Sequence, residues 1–382
     1  MNGNKIIKTI LHLLFDFIFA HLLMTKQRNG EIKKILLSGY TGLGHLILKS
    51  VLVQKLQELY PESKIFIIAG NSFGTEFVLD DYPTLILKQE SSWLKKILFF
   101  LRLRKEKIDL ILLPIDAAPN FLIRGAIIAG IPIRVGHVFE NESFPNYYYT
   151  TQVPVNIGIN RSELDMNYDL IDAIRPSKIK RSYQPFVSMN FNGSVLEKNK
   201  LQKNNYLCLQ MGSANGLPTT KKWLEDNFRE LIKKILQLFP GMKIVAVGDS
   251  GDSKIINRIC DGIISEGLIN LSGKTDLNEL KSILFNSRLV ICHDSGIMHM
   301  SNALRKNTIA IYGPSDPDFY ALKLPTFHLI REKIHCSPCQ GLFPGKFSFL
   351  TEEESTILCP LPECMKAISV DAVLHKCAEL LN

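Results

Sequence analysis

An α/β protein made of two doubly wound parallel sheets is predicted by three features of the 382-residue sequence. Short, continuous apolar runs recur from residue 32 onward, a helical pattern separates each run from the next, and the alternation starts afresh near residue 205. Apolar runs of about four to eight residues without polar alternation are strands covered on both faces, as in a parallel sheet flanked by helices. The length also exceeds what a single hydrophobic core supports, which agrees with two domains.

The elements follow in order. Residues 5–24, KIIKTILHLLFDFIFAHLLM, are apolar but interrupted by Lys8, His12, Asp16 and His21, which gather much of the polarity on one helical face. We read residues 1–30 as an amphipathic helix lying on the inner face of a membrane. A helix packed on protein is one alternative, and a true span is the other. The span would hold Asp16 near the bilayer centre at a cost of roughly 2.5–3.5 kcal/mol. The segment TKQRNGEIKK that follows offers no small-residue cleavage site.

Strands are expected at 32–39, 64–70, 108–114 and 131–137, with helices near 45–60, 93–107 and 119–130. The second series places strands at 205–212, 242–249, 268–273, 288–294 and 307–313, with an amphipathic helix at 223–240 closed by Pro240 and Gly241. The resulting domains are 31–175 and 195–350, joined by a polar crossover at 176–194. A tail at 351–382 ends in a helix, about 369–381, expected to pack back on the N-terminal domain.

The composition, 46% hydrophobic and 21% charged, is that of a globular chain rather than a disordered one. The net charge of +8 is scattered along the sequence. That suits an anionic ligand or an acidic membrane face, whereas nucleic-acid binding would call for a compact basic array. Of the eight cysteines, Cys208, Cys260 and Cys292 lie in apolar contexts and read as buried thiols. The set HCSPC (335–339) and CPLPEC (359–364) has metal-ligand spacing only in its first pair. Zinc on Cys336, Cys339, Cys359 and Cys364 therefore stays open beside structural thiols, with His335 as a neighbour.

Ligands of open parallel sheets bind at the carboxyl ends of the strands, and four such loops carry chemistry. The stretch CHDSGIMHMSNAL (292–304) reads as a strand end, a sharp turn and a helix start. Unpaired amides at a helix start attract phosphate, which makes Asp294, Ser295, Gly296 and, one turn on, His299 candidates for a nucleotide diphosphate site. In QMGSANGLPTTKKW (210–223), Gly212 and Ser213 can cradle phosphate while Lys221 supplies a point charge, although Lys221 and Lys222 also suit a solvated helix start. In VGDSGDSK (247–254), Asp249 or Asp252 can accept from ribose hydroxyls or simply cap the next helix. GYTGLGHL (39–46) invites a dinucleotide reading, but its spacing is wrong and the second strand ends Ile68-Ala69-Gly70-Asn71 with no acid for a ribose.

These residues, with GLGHLILKSVLVQKLQELYP (42–61), SGKTDLNELKSILFNSRLVICHDSGIMHMSNAL (272–304), GPSDP (313–317) and the cysteine-bearing tail, resemble glycosyltransferase family nine, the ADP-heptose:lipopolysaccharide heptosyltransferases. The resemblance implies a GT-B fold, two Rossmann-like domains facing across a cleft. It also implies inverting transfer of a heptose from ADP-heptose to the inner core of lipopolysaccharide or a similar glycan, with no required metal and no cofactor. With the amphipathic segment 5–24, this reading leads us to expect a lipid-linked acceptor and a peripheral position on the cytoplasmic face of the inner membrane, while the scattered charge argues against a nucleic-acid partner. Gly44, Gly212, Ser213, Asp249, Asp252, Asp294, Ser295, Gly296 and His299 are the expected nucleotide-sugar residues, and Lys221 the charge that assists the leaving diphosphate.

The chain departs from the family at one point. Family members commonly read Gly-Asp after the first strand, whereas this chain has Gly44-His45. A neutral histidine can accept a proton at neutral pH, so His45 is the expected base, with Asp116 in reserve. The missing aspartate also prompts the alternative of a nucleotide-sugar-binding paralogue with weak or no transfer.

Overall fold

The structure, a computed structural model, describes residues 31–72, 74–138, 148–155, 161–175, 181–212, 221–338, 359 and 362–382. The amphipathic helix expected over 5–24 lies outside the described residues.

The chain forms two six-stranded sheets, all of whose strand pairs are parallel. The first contains β1 (Lys34–Ser38), β2 (Lys64–Ala69), β3 (Thr84–Ile86), β4 (Leu110–Leu113), β5 (Ile133–Val138) and β6 (Thr151–Pro154), in the order β3-β2-β1-β4-β5-β6. The second contains β7 (Tyr206–Gln210), β8 (Lys243–Val247), β9 (Leu268–Asn270), β10 (Leu289–His293), β11 (Thr308–Ile311) and β12 (Phe327–Ile330), ordered β12-β11-β10-β7-β8-β9. Numbered within its own half, each sheet has the strand order of a dinucleotide-binding fold, with a switch point beside the first and fourth strands.

Three strands escaped the sequence reading: β3, β6 and β12. Each is an outer strand, half exposed, and so lacks the apolar run that marks an interior strand. Pro154, with no amide hydrogen, is tolerated on β6 for the same reason. Interior strands such as β4 and β7 are buried throughout.

By packing, the described residues divide into two units. One lies within Met1–Gly42, Leu52–Ile157 and Leu164–Arg181, the other within Leu43–Val51, Gly158–Glu163 and Ser182–Asn382. The helix Leu43–Leu59 therefore contributes its first turns to the second unit. In that helix Leu46, Ile47, Leu48, Val51, Leu52 and Val53 are all buried, so apolar burial runs round most of its circumference, while Gln54 and Glu58 are exposed. It ends at Leu59, and Tyr60, the residue before Pro61, is no longer helical, as the proline ring disfavours a helical predecessor.

The first core gathers Leu36, Ile68, Ile111 and Leu113 from the sheet with Phe100, Leu122 and Ile123 from the covering helices. The second gathers Leu209, Ile244, Ile291 and Ile309 with Phe228, Leu231 and Ile235 of helix Glu225–Leu238. For the closing helix Val370–Leu381, expected on the N-terminal domain, the structure shows Val373, Cys377 and Leu381 buried in the second core. Among the supposed buried thiols, Cys208 and Cys292 are buried, whereas Cys260, at the end of helix Ser253–Cys260, is only half-buried.

Candidate active site

The site is built in the second unit, where β7 and β10 end side by side. β10 terminates in His293, fully buried, and both of its ring nitrogens are committed. Nε2 accepts the amide N–H of Trp223 at 2.9 Å, so Nδ1 carries the proton and donates to the carbonyl of Gly212 at 3.1 Å. The amide of His293 donates to Oε1 of Gln210 at 3.0 Å. One neutral imidazole thus ties the end of β7 to the segment holding Lys221. Burial pushes its pKa down to about 4. The sequence reading passed over His293 because it looked like part of the strand.

One residue on, Lys221 Nζ lies 2.6 Å from Oδ2 of Asp294, and both side chains are largely shielded from water. Burial alone would raise the carboxyl pKa, but the lysine charge and its hydrogen bond override it and hold Asp294 at about 2. Ser295 has extended backbone angles and makes no side-chain cap to the helix Gly296–Ala303. The first amides of that helix therefore point outward beside a lysine, a favourable seat for an anion. His299 is buried, its pKa pushed down to about 4 chiefly by burial, and its Nδ1 has no hydrogen-bond partner among the described residues.

Gly44, Asp294, Ser295, Gly296, His299 and Lys221 are thus brought together, Gly44 through a close approach. A Cβ at Gly44 would stand 2.7 Å from Cδ2 of His299 and 3.5 Å from Cα of Gly296. Only glycine lets the start of helix Leu43–Leu59 come this near the turn. The ring of Tyr320 links the flanks: its centroid is 6.1 Å from that of His45 and 5.8 Å from the ammonium of Lys221.

His45 itself is partnered. Its Nδ1 lies 2.6 Å from Oε2 of Glu163, which is 1% exposed, and Lys49 Nζ is 3.8 Å from Oε1 of the same carboxylate. A buried carboxylate on Nδ1 fixes the tautomer and the ring plane and leaves proton acceptance to Nε2. Glu163 is 118 residues away in sequence, and only tertiary structure discloses the pair.

Elsewhere the predicted residues take other parts. Gly212 packs against Asp252, whose carboxylate occupies the place a Cβ would take. Asp252 is 5% exposed and stands at the N-cap of helix Ser253–Cys260 without a side-chain cap bond, while the exposed Asp249 accepts the amide N–H of Asp252 at 3.0 Å and so fixes the turn that leads into the helix. Ser213 lies outside the described residues. Asp116 belongs to the first unit, where the hydroxyl of Thr41 donates to it at 2.6 Å. Of the cysteine set, Cys336 is exposed, Cys364 is buried against Gly313, and Cys339 lies outside the described residues. The thiol of Cys359 is pushed up by burial and by Cys336 and Glu363.

Known proteins resemble the chain in sequence and in fold. The sequence model described as Glycosyltransferase family 9 (heptosyltransferase) matches residues 134–342. Lipopolysaccharide heptosyltransferase 2 of Escherichia coli K12 is 22% identical over 330 residues, covering 75% of this chain and 84% of the relative. Lipopolysaccharide heptosyltransferase 1 of Campylobacter coli is 22% identical over 345 residues, covering 85% and 97%. Among solved structures, E. coli ADP-heptose LPS heptosyltransferase II superposes with a TM-score of 0.67 at 19% identity, covering 91% of this chain and 98% of that one. A family 9 glycosyl transferase from Veillonella parvula gives 0.72 at 18% identity, covering 92% and 98%. The structural likenesses bear on the fold, two Rossmann-like halves of the GT-B kind.

Proposed function

Because the chain belongs to glycosyltransferase family 9 and is a glycosyltransferase, we propose that it transfers a heptose from ADP-heptose to the inner core of lipopolysaccharide or a closely related cell-surface glycan. The observation that carries the reading is the uncapped start of helix Gly296–Ala303 beside the Lys221–Asp294 pair. The diphosphate of the donor meets the amides from Gly296 onward and the ammonium of Lys221. Asp294 keeps that ammonium in place, and Gly212 lies on the phosphate side. Asp249, whose Oδ1 fixes the turn into the helix, offers its second oxygen to a ribose hydroxyl, and Asp252 serves packing.

The chemistry then follows. Nε2 of His45 takes the proton from the acceptor hydroxyl as that oxygen attacks the anomeric carbon. The bond from that carbon to the diphosphate oxygen breaks, and ADP leaves with the electron pair. Glu163 stabilises the imidazolium formed on His45, replacing the charge lost with the family's aspartate. Lys221 and the helix amides take up the charge that develops on the leaving phosphate. The step needs no metal. A lipid-linked acceptor places the enzyme peripherally on the cytoplasmic face of the inner membrane; among the described residues no helix is long and apolar enough to cross a bilayer.

The test is ADP release from ADP-heptose in the presence of a heptose-deficient lipopolysaccharide acceptor, together with calorimetric titration of ADP. Turnover lost in His45→Ala with ADP binding retained supports transfer by this base. Tight ADP binding with no turnover in the unaltered chain points instead to a binding paralogue, and no ADP affinity overturns the site.

A further inference from the structure

We propose that the outward face of helix Trp93–Leu103, in the first unit, is a docking surface for an anionic lipid bilayer. The inward face of this helix is accounted for. Phe100 and Leu103 are buried in the first core, and the Phe100 ring lies where a Cβ of Gly125 would be, so the two helices meet closely there. The outward face carries Leu94, Leu98 and Leu101 at spacings of four and three residues, 52%, 44% and 47% exposed, with Trp93 at the helix start 72% exposed. At about 100° per residue these three leucines fall within one narrow stripe, and Lys105 follows in the 3-10 turn Arg104–Glu106. Lys95 and Arg102 flank the stripe on one side and Arg104 on the other.

Charge decides what covers it. From Ser91 to Lys105 the sequence SSWLKKILFFLRLRK contains five basic residues after Trp93 and no acidic one. An apolar stripe flanked along the helix by cations, with a tryptophan at one end and Glu90 and Glu106 only beyond its two ends, matches the boundary between acyl chains and anionic headgroups. Next to it a cavity of about 170 Å³ is lined by Trp93, Ile97, Phe100, Phe121, Arg124 and Tyr148, apolar in most of its wall. Lys96, whose ammonium lies 4.3 Å from the centre of the Phe121 ring and donates to the carbonyl of Gln89, holds its rim. Such a recess suits a single acyl chain drawn out of the bilayer. The surface rests on the reading of a lipid-linked acceptor, and it belongs to the first unit whereas the nucleotide site belongs to the second.

The chain reports on itself. It has two tryptophans, and Trp223 is 2% exposed, so a change of emission on adding vesicles comes from Trp93. The full chain is mixed with phosphatidylglycerol vesicles and, separately, with phosphatidylcholine vesicles, neither containing lipopolysaccharide or nucleotide. We expect a blue shift and co-flotation with the anionic vesicles only, and no shift in Trp93→Phe. Lys95, Arg102 and Lys105 all replaced by Gln should weaken anionic-vesicle binding by roughly 100-fold. Leu94, Leu98 and Leu101 all replaced by Ser should weaken it by about tenfold or more. ADP affinity equal to that of the unaltered chain shows these variants folded. Flotation without a Trp93 shift overturns the proposal by placing attachment elsewhere, residues 5–24 included. So does a shift that depends on protein concentration without lipid, which would mean self-association, and so does an absence of any binding. None of these outcomes bears on donor binding or turnover, which are measured without vesicles.

Discussion

The two switch points of this protein have the same topology and different chemistry. At the first, beside the ends of β1 and β4, the hydroxyl of Ser38 bonds the carbonyl of Ala117 and that of Thr41 donates to the Asp116 carboxylate, so hydroxyl groups do most of the bonding. At the second, beside β7 and β10, a buried ion pair, an uncapped helix start and two neutral histidines are concentrated within a few residues. An identical strand order therefore sets where a site can lie and leaves its chemistry to the loops. The one reactive side chain that follows β1, His45, packs with the second unit through the opening turns of its helix.

The sharpest way to break this asymmetry is to remove His45. His45→Ala should lower kcat by about 10²–10⁴-fold with ADP affinity unchanged. Glu163→Gln should lower kcat by about tenfold or more and leave the KM for the donor alone, because it acts through His45. A fall in ADP affinity comparable to the fall in kcat would place His45 in binding rather than in proton transfer. Lys221→Ala comes next, at about 10²–10³-fold in kcat, since it withdraws one preorganised charge from the leaving group. It also strands Asp294 in a shielded position, so its melting temperature must be measured beside its rate. Lys222→Ala, one residue along, is the control and should stay within about twofold.

Much of this was legible in the sequence, for reasons that particular residues make plain. The runs LILL, YLCLQ and LVICH, short and bounded by polar segments, read as interior strands, and DSG before an apolar helical pattern reads as a turn into a helix start. β3 and β12 were hidden because an outer strand needs no apolar run, and Glu163 because a polar residue in a helix start carries no mark of its tertiary partner. Asp249 was ambiguous for a physical reason: the same carboxylate suits a cap and a ribose, and the bond to the Asp252 amide resolves one oxygen only.

Acid should expose the second switch point before the first. His293 and His299, each pushed to about 4 in the folded chain, stay neutral where unfolded histidines, near 6.5, take up protons. Unfolded chains then bind more protons than folded ones, so stability is complete above about pH 6.5 and falls as pH drops towards 4, by up to the order of 3 kcal/mol for each histidine. Asp294, held near 2 against 3.8, adds a loss only below that window. Urea midpoints measured from pH 7.5 to 4.5 should decline along this course, and His293→Gln should flatten the slope whatever it does to the level. A slope unchanged in that variant would mean that His293 is not the proton acceptor.

The smallest effects come from two glycines, one on each side of the division within a single turn of chain. At Gly44 a Cβ meets the His299 ring at 2.7 Å, so Gly44→Ala must push an imidazole that has nowhere dry to go. That should cost about 1–3 kcal/mol of stability and weaken ADP binding several-fold as the turn shifts. At Gly42 no atom lies within 4 Å of an added Cβ, and φ is −70°, which alanine adopts readily. Alanine is a poorer residue than glycine at a helix start but loses less chain entropy on folding, and the two tendencies nearly cancel, within about 0.5 kcal/mol. Equal penalties at the two positions would mean that the loop after β1 is constrained by its own backbone. A penalty confined to Gly44 would tie the loop's sequence to the nucleotide turn it touches, which is what the asymmetry between the two switch points requires.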